Sequence, residues 1–238
     1  MKQLETFEYA HDGLKLSGRI AWPAGPGPHP AVMVMHSAMG LDELCCSRAN
    51  DLASMGYVAL ATNMFGQKPA GPELDYAKLF MELVEQPAVM RARVVATYDA
   101  LRALPGVDAG RISGIGFCFG GQCVLELARS GADVASVVSF HGLLKTARPA
   151  KAGAVKAKIL VITGAKDPYV PPEDVAAFQR EMTAADADWQ LTIYGEGYHA
   201  FTADNARTQE VPGTRYDPFL DRVSWAQATA FLEAALEA

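Results

Sequence analysis

The sequence predicts an α/β fold in which a mostly parallel sheet carries helices on both faces. Three observations support this. Strand-like and helix-like runs alternate to the end of the chain. The strand-like runs are short and nearly all apolar, as expected of strands covered on both sides. The 238 residues are 50% hydrophobic, enough for one sizeable core.

In chain order, KLSGRIAW and AVMVMHS read as strands, joined by the turn AGPGPHP at 24–30, which is too short for a domain linker. YVALAT follows a helix that ends near Gly56. RISGIGF, VASVVSF, AKILVITG and WQLTIYG read as further strands. Between Pro87 and Pro105, Met90, Val94, Tyr98 and Leu101 recur at helical spacing. The last helix starts with Asp217 as N-cap and Pro218 at its first position, and Phe219, Leu220, Val223 and Phe231 are expected on its apolar face. With no repeat or low-complexity tract, the expectation is a single domain over 1–238.

The formal charge is −6 and no basic stripe stands out, so neither nucleic acid nor an anionic membrane is an expected partner. MKQLETFEYAHDG lacks the charged start and apolar core of a signal peptide, and no apolar run could span a bilayer. The expected location is cytoplasmic, where Cys45, Cys46, Cys118 and Cys123 would stay reduced. No C-x-x-C or other zinc spacing is present, and neither a metal nor a cofactor is expected. Monomer and homodimer are equally open.

The chemistry centres on Gly116-Phe117-Cys118-Phe119-Gly120, which has the shape of the G-x-S-x-G nucleophile elbow with sulfur for oxygen. A strand turning at once into a helix strains the central residue and crowds its neighbours, hence the glycines. The turn leaves the sulfur at a helix N-terminus, which favours thiolate. Alone, this pentapeptide is equally a buried cysteine in a Gly-rich turn. Two later elements decide between the readings. KILVITGAKDP places Asp167 just past a strand, and LTIYGEGYHAF places His199 just past another. Nucleophile, acid and base then follow in the order that such a triad requires. His199 would accept the thiol proton and Asp167 would fix its tautomer. The oxyanion needs two N–H donors: Phe119 supplies one, and by position in MHSAMG, Ala38 supplies the other.

These residues resemble the dienelactone hydrolase family of α/β-hydrolases, through GFCFGG, LVITGAKDPYVP and YGEGYHAF, with weaker support from MHSAMGLDE and GYVALATNMFG. The resemblance covers most of the chain. It implies an eight-stranded sheet, a Cys118–His199–Asp167 triad and metal-independent hydrolysis of esters or lactones. The triad spacing also resembles that of a metagenome-derived member with promiscuous phosphotriester hydrolysis. Two departures bear on substrate. Many members carry a glutamate where Ser37 stands, which makes a resting Cys118–His199 pair the more natural state here. Members acting on dienelactone carry an arginine shortly after the histidine, where this chain has Thr202 and Ala203. Arg207 and Arg215 are the next candidates along the chain.

Ser37, His36, Met39, Met64, Phe65, Phe80, His141 and Phe201 are the candidate pocket residues, with Met81 and Phe119 nearby. For His36 and His141 a buried, backbone-bonded role competes with wall contact, and Cys123, Cys45 and Cys46 read as packing. An apolar, Met-containing pocket suits a neutral, hydrophobic or aromatic ester. FGQKPAGPELDYAKLFMELVE is a candidate movable wall hinged at Gly66 and Gly71. The expected function is a cysteine hydrolase of a small-molecule ester or lactone, with neutral phosphotriesters secondary. The rivals are a thiol redox protein using Cys118 and Cys123, and a ligand-binding protein that kept the fold without turnover.

Overall fold

The computed structural model describes residues 4–66 and 75–237, without the side chains of Ala206 and Arg207. The strands are β1 (Glu5–His11), β2 (Leu14–Ala21), β3 (His29–Met35), β4 (Val58–Ala61), β5 (Val107–Phe117), β6 (Ser136–Phe140), β7 (Lys158–Gly164) and β8 (Trp189–Tyr194). The helices are α1 (Glu43–Ser54), α2 (Tyr76–Val84), α3 (Pro87–Arg102), α4 (Phe119–Arg129), α5 (Pro172–Ala184), the short α6 (Ala206–Gln209) and α7 (Pro218–Leu236).

One eight-stranded sheet runs β1-β2-β4-β3-β5-β6-β7-β8. Only β1–β2 and β2–β4 pair antiparallel; every other pair is parallel. The sequence reading lacked β1, whose residues are half or fully exposed and whose partner in the sheet is β2, with the Tyr9 hydroxyl accepting from Thr97 of α3 at 3.0 Å. In β3 the side chains alternate between two cores. Ala31, Met33 and Met35 join the core under α2, α3, α4 and α5, while Val32 and Val34 join the one under α1 and α7. Covering both faces is what makes these strands continuously apolar.

The last helix begins as expected, with the Asp217 side chain accepting from the N–H groups of Phe219 and Leu220. Of the expected apolar face, Leu220 is buried and Val223 and Phe231 pack partly buried against the core, while Phe219 does not. Leu220, Ser224, Ala228 and Leu232 recur every four residues against the sheet, and Phe219, one residue off that stripe, is 61% exposed.

The parallel register lines up the strand ends. Met35 lies beside Gly116, Phe117 beside Phe140, Phe140 beside Ile162, and Gly164 beside Tyr194. The residues that leave these ends, His36, Cys118, His141, Asp167 and His199, therefore emerge along one edge, the usual ligand edge of a parallel sheet.

Candidate active site

Cys118 joins β5 to α4 with φ 54° and ψ −113°, a conformation that non-glycine residues seldom adopt. The flanking glycines permit it for two different reasons. A Cβ on Gly116 would lie 2.0 Å from the carbonyl oxygen of Gly120, so the turn could not close. A Cβ on Gly120 would lie 2.2 Å from the carbonyl oxygen of Met35, so α4 could not approach β3. The elbow's N–H is shared between the Phe140 carbonyl at 3.0 Å and His141 Nδ1 at 3.2 Å.

His199 Nε2 lies 3.1 Å from Cys118 Sγ, and its Nδ1 lies 2.7 Å from Asp167 Oδ2. The other Asp167 oxygen accepts the Tyr169 N–H at 2.8 Å, which fixes the carboxylate. The loop bearing His199 is tied down by His199 N–H to the Gly213 carbonyl and Arg215 N–H to the His199 carbonyl. Cys118, His199 and Asp167 thus form one hydrogen-bonded line drawn from three strand ends.

The charges of the two ends agree with that line. Burial by itself would raise the Cys118 thiol, but the His199 charge and hydrogen bond, and the backbone N–H groups of Ala38 and Phe119, bring it below its ordinary value. Burial would lower His199, but the Cys118 thiolate and the hydrogen bonds to Asp167 and Cys118 raise it to about 10. Both shifts favour a thiolate facing an imidazolium. Ala38 and Phe119 N–H, the two expected oxyanion donors, both point at this sulfur.

A cleft of about 170 Å³ opens over the sulfur. Ser37, Ala38, Met39, Phe80, His141 and His199 line it, together with Asp42, Leu143, Tyr169, Ala203, Val211 and Thr214 among others, and its wall is almost wholly apolar. No lysine or arginine is among these described residues. Four expected pocket residues are elsewhere. His36, Met64, Phe65 and Phe201 are buried one layer back, where Phe65 stacks at 5.8 Å on Phe119 and Phe201 meets the His141 ring edge-on. Met81 faces solvent, because Leu79 and Leu83 take the inner face of α2.

His141 belongs to both of its expected descriptions: it lines the cleft and is also fully bonded. Its Nδ1 accepts from Cys118, so Nε2 carries the proton and donates to Thr202 Oγ1 at 2.9 Å. Burial, and then the charge on His199, hold it well below the usual histidine range, hence neutral. Thr202 is spent on this bond and only Ala203 reaches the cleft. Arg215 stacks on Tyr198 and donates to the Glu196 carbonyl, away from the cleft. Arg207's side chain and the proposed hinge at Gly71 lie outside the described residues. Among the described residues no group of three His, Cys, Asp or Glu side chains could hold a metal ion, and no helix is long and apolar enough to cross a membrane.

The sequence reading missed the far wall, Tyr169 and the 200–214 segment. Tyr169 sits two residues past Asp167, edge-on to the His199 ring at 4.9 Å, and donates its hydroxyl to the Pro212 carbonyl. An aromatic residue that close to the acid was the available signal.

Residues 16–236 match the model of the dienelactone hydrolase family. The chain belongs to that family. It is a hydrolase acting on ester bonds. A Bradyrhizobium protein described as "Probable 2-oxo-3-(5-oxofuran-2-ylidene)propanoate lactonase" is 32% identical over 203 residues, covering 79% of this chain and 81% of the relative. The crystal structure of the dienelactone hydrolase-like promiscuous phosphotriesterase P91, from metagenomic libraries, superposes with a TM-score of 0.90 at 33% identity, over 98% of both chains. MGS-M1, an α/β hydrolase from a deep-sea metagenome library of the Medee basin, shares the fold at 14% identity, with a TM-score of 0.67 over the full length of both chains.

Proposed function

We propose that this member of the family hydrolyses neutral, apolar carboxylic esters and lactones through a thioester on Cys118. The observation that carries the proposal is the hydrogen-bonded line of Cys118, His199 and Asp167 beneath an apolar cleft, with the Ala38 and Phe119 N–H groups at the sulfur. The Cys118 thiolate adds to the substrate carbonyl carbon, and the π electrons move to oxygen between the Ala38 and Phe119 N–H groups. Collapse expels the alcohol oxygen, which takes the proton from His199 Nε2. The neutral imidazole then removes a proton from water, the hydroxide adds to the thioester, and collapse releases the acid and restores the thiolate. Asp167 holds the Nδ1 proton throughout, so that Nε2 always faces the reacting atoms.

The cleft supports a neutral substrate, since no lysine or arginine among its described lining residues would pair with a carboxylate, His199 is already paired with Cys118 and Asp167, and Asp42 would oppose one. A neutral phosphotriester meets the same demands, and the likeness to P91 favours that second activity. Attack at phosphorus would give a thiophosphoryl enzyme whose slow hydrolysis keeps the activity secondary. A redox pairing of Cys118 with Cys123 is disfavoured. Five helical residues separate them by about 7.5 Å of rise, beyond disulfide reach, and Cys123 is fully buried.

The test is a panel of neutral aryl esters, carboxylate-bearing esters and neutral phosphotriesters, assayed with the wild type and Cys118→Ala. Neutral esters should lead, and every activity should vanish in the variant. Undiminished turnover by Cys118→Ala, or a preference for carboxylate-bearing esters, would contradict the proposal.

A further inference from the structure

His36 leaves the end of β3, is fully buried, and lies outside the cleft, so it is not placed to touch a substrate. Both of its ring nitrogens are nevertheless committed. Nε2 lies 2.9 Å from the backbone N–H of Met64, and Nδ1 lies 2.5 Å from the carbonyl oxygen of Ser37. A backbone N–H can only donate, so Nε2 is the acceptor and the single proton sits on Nδ1, donated to Ser37. The Ser37 carbonyl belongs to the same peptide unit as the Ala38 N–H, the group that points at the Cys118 sulfur.

We propose that His36 is the positioning residue of the oxyanion hole, which it serves by holding and polarising the Ser37–Ala38 peptide. This rests on the thioester reading above. The bonds run in one direction: Met64 N–H to Nε2, Nδ1–H to the Ser37 carbonyl, and Ala38 N–H to the anion. Each donation strengthens the next, because a bond accepted at Nε2 makes Nδ1–H a better donor, and one accepted by an amide carbonyl does the same for its N–H. The bond also fixes the rotation of the peptide plane, which decides whether the N–H faces the oxyanion or swings aside. Met64 is itself secured by Arg93 Nη1, which donates to its carbonyl at 2.6 Å, so the far end of the relay is anchored to α3. The site keeps the imidazole neutral, since burial pushes its pKa down to about 4 against the weaker support of the Ser37 bond. A charged ring would lose the acceptor that Met64 needs.

His36→Asn and His36→Gln separate this from a packing role. Both replacements are amides; asparagine puts its donor near the Nδ1 position, and glutamine puts its acceptor near the Nε2 position. Asparagine should keep kcat for a neutral aryl ester within about fivefold of wild type. Glutamine should lose kcat by about 10–100-fold, with KM changed less than about threefold, because the donor acts on the oxyanion rather than on bound ester. An aryl trifluoromethyl ketone, which forms an oxyanion on the thiolate, should lose affinity in proportion to kcat/KM. Equal losses in both variants that track their thermal unfolding, or a glutamine variant as active as asparagine, would overturn the proposal. Should neither variant fold, ¹⁵N spectra of the wild type decide: His36 must show a protonated Nδ1 and a bare Nε2, and the opposite tautomer would overturn it. Failure of the thioester reading is distinguishable, since it would appear as activity in Cys118→Ala.

Discussion

Two cysteines five residues apart, Cys118 at the start of α4 and Cys123 within it, illustrate what the carboxyl edge of the sheet adds to a thiol. Burial pushes both upward. At Cys123, inside the helix, Glu126 and Cys118 add to that push and only Arg93 opposes it, so the thiol stays well above its ordinary value. At Cys118, where the helix begins, His199 and two backbone N–H groups reverse the push. The difference is one of donors, because the buried thiol with no hydrogen bond of this kind behaves as a small hydrophobe. Reactivity here is a property of the strand ends, which bring His199 and Ala38 to a sulfur that the elbow holds out to meet them.

The largest expected effect comes from exchanging the two thiols' roles by deletion. Cys118→Ala should lower kcat on an aryl ester by about 10⁴-fold or more, while Cys123→Ala should leave it within about threefold. Steady-state rates on both variants check this. Next, His199→Asn should cost about 10³-fold in kcat/KM and move the Cys118 thiol up towards Cys123's behaviour. Ultraviolet titration of thiolate should then show ionisation at a higher pH than in wild type, and an unmoved titration would break the comparison.

The pH profile sharpens it further. Cys118 is an acid whose anion is stabilised, so activity is lost as pH falls through its lowered pKa. His199 is a base whose charged form is stabilised, so the proton donor for the leaving group is lost as pH rises through about 10. Activity should therefore rise with pH through the lowered thiol pKa, hold a plateau above it and fall near 10, as read by kcat against pH. At matched neutral pH, iodoacetamide should alkylate Cys118 and spare Cys123, as read by peptide mapping. The smallest effect is on folding: Cys123→Ala should cost about 1–2 kcal/mol by leaving a small cavity, measured by chemical denaturation.

The same contrast explains what was legible in the sequence. Apolar runs announce the central strands because both faces are buried, and Gly116 and Gly120 announce the elbow because a Cβ there meets backbone. Asp167 and His199 were legible through their order and their places just past strands. β1 was not, since an exposed edge strand carries no apolar run. The cleft wall was read poorly for a related reason. Position near a strand end says which residues are close to the site but not which way they face, and His36, Met64, Phe65 and Phe201 turn back into the core. The wall at 200–214 is ordered by backbone bonds such as Asp217 N–H to the Phe201 carbonyl, which no local pattern reveals.

The central claim is that Cys118 carries the acyl group. Protein quenched in acid during turnover of a neutral aryl ester and mapped by peptide mass should carry the acyl mass on the peptide containing Cys118, and on no other cysteine peptide. An adduct on a different residue, or turnover in Cys118→Ala with the adduct absent from this peptide in wild type, would contradict the account.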